Sequence, residues 1–101
     1  MKSEKERAET LAEVAERVAL WNEFRTDDFQ DNVVHHVNDA REPWRGDGGN
    51  LPRRGADPLF DALMGLADMA DASPVAVRDV CADALKVAGE FRTAEDAKTA
   101  G

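Results

Sequence analysis

Two helix-start signals, Asp57-Pro58 and Ser73-Pro74, frame a stretch from Asp57 to Arg92 that constrains this chain more than any other. In each pair a short oxygen-bearing side chain can accept from the free N–H groups of a first turn. The proline then takes the position where a missing N–H costs nothing. Asp61 adds negative charge to the first of these turns, which suits the helix dipole. At about 100° per residue, Leu59, Leu63, Leu66, Ala67 and Ala70 cluster on one side, flanked by Phe60, Ala62, Met64 and Met69. Only Asp61, Gly65, Asp68 and Ala72 form a narrow non-apolar strip. A helix apolar around most of its girth belongs in the middle of a core. The next helix carries Val77, Val80, Cys81, Ala84, Leu85, Ala88 and Phe91 on one face and Asp79, Asp83, Lys86 and Glu90 on the other. That is amphipathic patterning, and the short Ala72-Ser73-Pro74 link makes the pair a corner or hairpin.

Upstream, Ser3-Glu4-Lys5-Glu6 has the spacing of a capping box. Leu11, Val14, Ala15, Val18 and Trp21 then share one arc, and Glu6, Glu9, Glu13 and Glu16 share the opposite one. The apolar stripe is narrow and suits one partner helix, within the chain or across a homodimer axis. Leu20 and Phe24 fall on the acidic side, so either the chain folds back over them or they form an exposed contact point. Thr26-Asp27-Asp28 opens a second helix, with Phe29, Val33, His36, Val37 and Ala40 at helical spacing, and Pro43 stops it. No stretch alternates as a strand does, and Tyr is absent. The expected fold is all-α: a small four-helix domain over residues 1–92, with helices at about 4–25, 27–42, 58–72 and 74–92, packed bundle-like or orthogonally. A Gly/Arg-rich loop, 43–56, separates helices two and three, and the polar tail 93–101 reads as disordered. Glu23-Phe24-Arg25-Thr26 recurs as Glu90-Phe91-Arg92-Thr93, each copy at an expected helix end; this reads as shared helix-end chemistry, not duplication.

Charge narrows the function classes. Thirteen basic residues face 21 acidic ones, a net charge of −8. Residues 1–42 carry −5 and residues 59–101 carry −4, while 43–58 carry +1. A chain this acidic is repelled by nucleic acid backbone and by anionic membrane. Cys81 is the one cysteine, so an internal disulfide is excluded; it falls on an apolar face and fits packing in a reducing, cytoplasmic setting. The N-terminal residues lack the apolar run of an export signal, and no run is long enough to cross a bilayer.

Chemistry finds few footholds. Asp31, His35 and Asp39 share a helix face at four-residue spacing and could contribute to a metal site, but a further ligand and the usual Glu-x-x-His pattern are missing. His36 falls on the apolar arc and reads as a core histidine. Ser3 and Ser73 are caps, and no Gly-x-Ser-x-Gly elbow is present. Gly46-Asp47-Gly48-Gly49 follows no strand and lacks the Lys-Ser/Thr of a P-loop. No catalytic, cofactor-binding or metal-binding residue is assigned.

The string from Leu66 to Val80 resembles the helix-turn-helix unit of bacterial repressors. Ala67 stands where the first helix needs a small residue, Ser73-Pro74 opens the would-be recognition helix, and Val77 and Val80 take its buried positions. The resemblance implies DNA binding through residues 62–81. It departs from the family pattern at Asp71, where the turn glycine is usual. The outward face also offers Asp79 and Asp83 beside Arg78, whereas bases and phosphates are read by Arg, Lys, Asn and Gln.

The reading placed first is a non-enzymatic protein–protein interaction module without a cofactor. Its acidic helix face would occupy a partner's surface, a basic and nucleic-acid-binding one being the natural match. Small acidic helical inhibitors of the anti-CRISPR and DNA-mimic type work this way, an analogy of class only. Glu9, Glu13, Glu16 and Glu23 are the expected charged contacts. Trp44, Arg45, Arg53 and Arg54 in the loop are residue types enriched at interface hot spots. DNA binding comes second and a small metal-binding helical protein third.

Overall fold

The computed structural model describes the backbone of residues 3–100 and the side chains of residues 3–92. Four α-helices follow one another, with no strand among the described residues: α1 Glu4–Glu23, α2 Phe29–Asp39, α3 Pro58–Asp68 and α4 Pro74–Ala100. None is long and apolar enough to cross a membrane.

The starts of α1, α3 and α4 are those the sequence signals, whereas α2 begins at Phe29, two residues after the expected start, and Asp28 makes no side-chain cap bond. The Ser3 hydroxyl accepts from the Glu6 N–H at 3.2 Å, and Asp57 Oδ1 accepts from Leu59 N–H at 2.9 Å and Phe60 N–H at 3.3 Å. The ends differ from expectation, each for a local reason. α2 stops at Asp39 because the Pro43 ring would strike the carbonyl four residues back. The chain tightens there into a 3-10 turn, Glu42–Trp44. α3 stops at Asp68 and unwinds through a turn over residues 69–72 before Ser73-Pro74.

α4 continues past Arg92 to Ala100. Beyond Thr93 the sequence alternates alanine with Glu, Asp and Lys and holds no Gly or Pro before Gly101, so nothing local interrupts it. The disordered tail expected over 93–101 otherwise falls on residues whose side chains lie outside those described. The repeated Glu-Phe-Arg-Thr therefore has two fates. It ends α1, where Asp27-Asp28 follow, and lies inside α4, where Ala94-Glu95 follow.

α1 packs most extensively on α4, and α1 and α3 each also touch the other helices. The apolar stripe of α1 (Ala8, Leu11, Ala15 and Val18) is fully buried, as are Val77, Cys81, Ala84 and Ala88 of α4. Both stripes step by three and four, and the alanines let the axes approach closely. The stripe of α1 is thus covered within the chain. In α3 only Pro58 and Asp68 are exposed, as its girth of apolar residues requires.

The loop between α2 and α3 is tied at both ends. Trp44 is fully buried, its ring 5.9 Å from that of Phe60, and Leu51 packs on the same core. Gly48 and Gly49 hold φ of 77° and 79°, which lets the backbone double back so that the Gly46 N–H donates to the Asn50 carbonyl at 2.8 Å. The Gly55 N–H donates to both Asp61 carboxylate oxygens, at 2.9 and 3.0 Å.

Candidate interaction surface

α1 carries the surface that the sequence singles out. Glu9, Glu13 and Glu16 are exposed, as is Glu6 before them. Side chains three and four apart lie one above another on a helix, so these four form a line about 15 Å long. Glu23 is exposed seven residues further along, about two turns. The interior beneath is apolar: among the described residues no polar or charged residue is fully buried.

The same stripe runs on into apolar residues. Leu20, four residues after Glu16, is 56% exposed and Phe24 is 73% exposed. Trp21, Thr26, Phe29 and Asn32 join them around an open groove of about 360 Å³. The chain does not fold back over Leu20 and Phe24. It turns away, because Phe24 leaves helical geometry at φ −115°, ψ 44°, and Asp27-Asp28 start α2 in a new direction. Beyond the rim Val75 is 57% exposed, and a second hollow of about 300 Å³ is lined by Asn22, Glu23, Pro74, Val75 and Arg78.

Arg25 packs beside this region, against Phe29, and was not legible as a site residue. Its guanidinium lies 4.5 Å from the Phe29 ring centroid and donates to the carbonyls of Ala70 at 3.2 Å and Ala72 at 2.7 Å. It thereby satisfies oxygens set free where α3 unwinds. The Asn22 side chain donates to the Pro74 carbonyl at 2.9 Å. Nothing in the sequence pairs residue 25 with residues 70–72. The one hint is an arginine just past a helix end beside an aromatic.

The loop residues proposed as contacts behave differently. Trp44 is withdrawn from the surface altogether, which corrects its assignment as a contact: its ring fills space beside Phe60 that the polar loop could not fill otherwise. Arg45 Nε donates to Glu42 Oε2 at 2.9 Å and its Nη1 to the Gly49 carbonyl at 3.0 Å, so it braces its own loop. Arg54 makes a two-pronged contact with Asp68 at 2.9 and 3.3 Å. The Asp68 carboxylate holds its guanidinium more firmly charged than usual, by hydrogen bond and then by charge. Arg53 is exposed. With Arg45 and Arg54 each paired to a carboxylate, the loop does not present a broad positive face.

The remaining candidates stay local. His35 Nε2 lies 3.2 Å from Asp39 Oδ2 with both groups open to solvent, and Asp31 is exposed. Among the described residues no group of three or more His, Cys, Asp or Glu side chains is placed to hold a metal ion. His36 is half-buried, edge-on to Trp21 with centroids 5.4 Å apart. Burial and then the Arg17 charge push its pKa below the ordinary imidazole value, and among the described residues its Nε2 has no hydrogen-bond partner. Cys81 is buried, and loss of water pushes its thiol up to about 11, so it stays protonated. In the helix-turn-helix stretch Val77 is buried and Val80 half-buried, while Val75, Arg78, Asp79 and Asp83 face solvent. Compared with protein-family models, with curated proteins and with solved structures, the chain matches none.

Proposed function

We propose that this chain is a non-enzymatic interaction protein that lays the acidic face of α1 on a basic, nucleic-acid-binding surface of a protein partner. One observation carries the reading: Glu6, Glu9, Glu13 and Glu16 stand exposed in one line, opposite a helix face whose fully buried residues are all apolar. Like charges at three- and four-residue spacing repel and weaken the isolated helix. A cationic partner removes that repulsion, and the spacing of charge along a rigid rod imitates a run of phosphates. Glu23 extends the line, and Arg53 is the loop residue left to contribute at an edge.

Replacing Glu9, Glu13 and Glu16 together by Gln tests this directly. Capture from host extract, with mass spectrometry, first identifies the partner. Its affinity is then expected to fall steeply with salt for the native chain and to flatten in the triple variant. Equal affinity at low and high salt removes the proposal.

A second reading keeps DNA as the ligand, through residues 62–81. It is favoured by the exposed Arg78 beside the buried Val77 on a helix that opens from a tight corner. Two carboxylates, Asp79 and Asp83, share that face and weigh against it. A gel shift with random duplex at low salt separates the readings: retained DNA with a steep salt slope reverses their order.

A further inference from the structure

The groove at the C-terminal end of α1 needs its own account, because acid alone does not explain it. Leu20 and Phe24 are the large apolar side chains that α1 leaves in water. They stand on its acidic side, directly after Glu16, so charge and apolar surface form one continuous stripe. A bare phosphate mimic has no use for an exposed phenylalanine.

We propose that this groove anchors an amphipathic, lysine- or arginine-rich helix of a protein partner. One apolar side chain of that helix seats among Leu20, Phe24 and Phe29, and its cations lie along Glu9, Glu13 and Glu16. The inference rests on the acidic-face reading above and specifies the partner's chemistry.

Charge selects this occupant. Around the groove Glu16 and Glu23 lie one turn from Leu20, and Asp27, Asp28 and Asp31 are exposed beside Phe29. Three arginines stand against them, of which Arg78 lies beyond the rim in the hollow it shares with Glu23. Arg25 is spent on the Ala70 and Ala72 carbonyls, and Arg17 is exposed on the His36 side. An anionic lipid surface would meet this acidic rim and be repelled. A second copy seated across a two-fold axis would bring the same carboxylates onto each other, because such an interface pairs one patch with itself. A cationic helix meets neither objection. Its own apolar stripe supplies the i, i+3, i+4 anchors that grooves of this kind accept.

The test uses the full chain and two synthetic peptides of equal charge. One is a Lys/Leu amphipathic helix former, and the other has its leucines replaced by serine. Binding is followed by anisotropy of labelled peptide and by Trp21 emission, since Trp21 lines the groove and Trp44 is sealed in the core. The leucine peptide is expected to bind at least about tenfold tighter, the worth of roughly 1.4 kcal/mol, and to shift Trp21 emission to the blue. Phe24→Ser, with its fold checked by circular dichroism, should erase that advantage and keep the salt-dependent remainder. The Glu9, Glu13 and Glu16 to Gln variant should weaken both peptides. Equal binding of the two peptides by the native chain, with a salt slope intact, sinks the anchor and leaves the acidic face standing. No salt-dependent binding of either peptide sinks both. A dimer by light scattering that Phe24→Ser converts to monomer gives the groove to a second copy and also overturns the anchor.

Discussion

Trp44 and Phe24 sit in opposite settings. Trp44 belongs to an irregular loop of glycine, proline and arginine, and it is fully buried against Phe60. Phe24 closes a regular helix and stands in solvent. Regularity of the backbone therefore does not decide burial here. A loop with few apolar residues is costly to order, and this one is fixed by a peg, Trp44, and by carboxylates that take its loose ends. α1 is held by its apolar underside and can leave its last turn bare. The loop's aromatic lies in the core, and the helix leaves its own at the surface.

That contrast breaks most clearly at the peg. Trp44→Ala is expected to cost about 3–5 kcal/mol in urea unfolding, the usual range for removing a buried aromatic. A loss under about 1 kcal/mol would mean that the loop is not held from within. Next comes the hinge between loop and core. Asp57 both caps α3 and pairs with Arg7, and both side chains are largely buried. Asp57→Ala should lose roughly 1 kcal/mol for the cap and about 1.5 kcal/mol for the charged hydrogen bond. Asp57→Asn should recover part of the first.

The third effect is smaller and depends on pH. His36 has its folded pKa below the ordinary 6.5. As pH falls below that value the unfolded chain binds a proton that the folded chain refuses until its own lower pKa. Stability should therefore be whole above 6.5, decline through that interval and level off beneath it. Glu13, Asp39, Arg17 and His35 all act on this imidazole, so the control is His36→Gln, whose melting temperature should not show the step. A step of equal size in that variant would locate the titration elsewhere. The smallest effect completes the comparison: Phe24→Ser should change stability by no more than about 0.5 kcal/mol, against the large loss at Trp44.

The four helices and the inward face of each were legible because capping residues and apolar spacing are local signals. Asp57-Pro58, Ser73-Pro74 and the Leu59–Leu63–Leu66 series need no knowledge of the rest of the chain. The helix ends were less so. Identical Glu-Phe-Arg-Thr segments end α1 and continue α4 because the following residues differ, Asp-Asp in one case and Ala-Glu in the other. The acidic line of α1 was legible for the same local reason as the helices. Trp44 was misplaced because hot-spot composition and core composition share the same aromatic, and only the fold says which neighbours it meets. The partners of Arg25 and Arg54 lie at a distance in sequence, Ala70 and Ala72 for one and Asp68 for the other, and spacing carries no signal for them.

The broadest interface joins α1 to α4, the earliest helix to the latest of the four. During synthesis α1 leaves the ribosome with its apolar stripe bare, and its main cover is still unmade. Neither α2 nor α3 supplies that cover in full, so docking waits until Val77 to Ala88 have emerged. A chain halted within α4 would keep its caps and its acidic line yet present a nascent greasy helix to chaperones and proteases. The yield of folded chain in the cell should therefore respond sharply to stalling over α4.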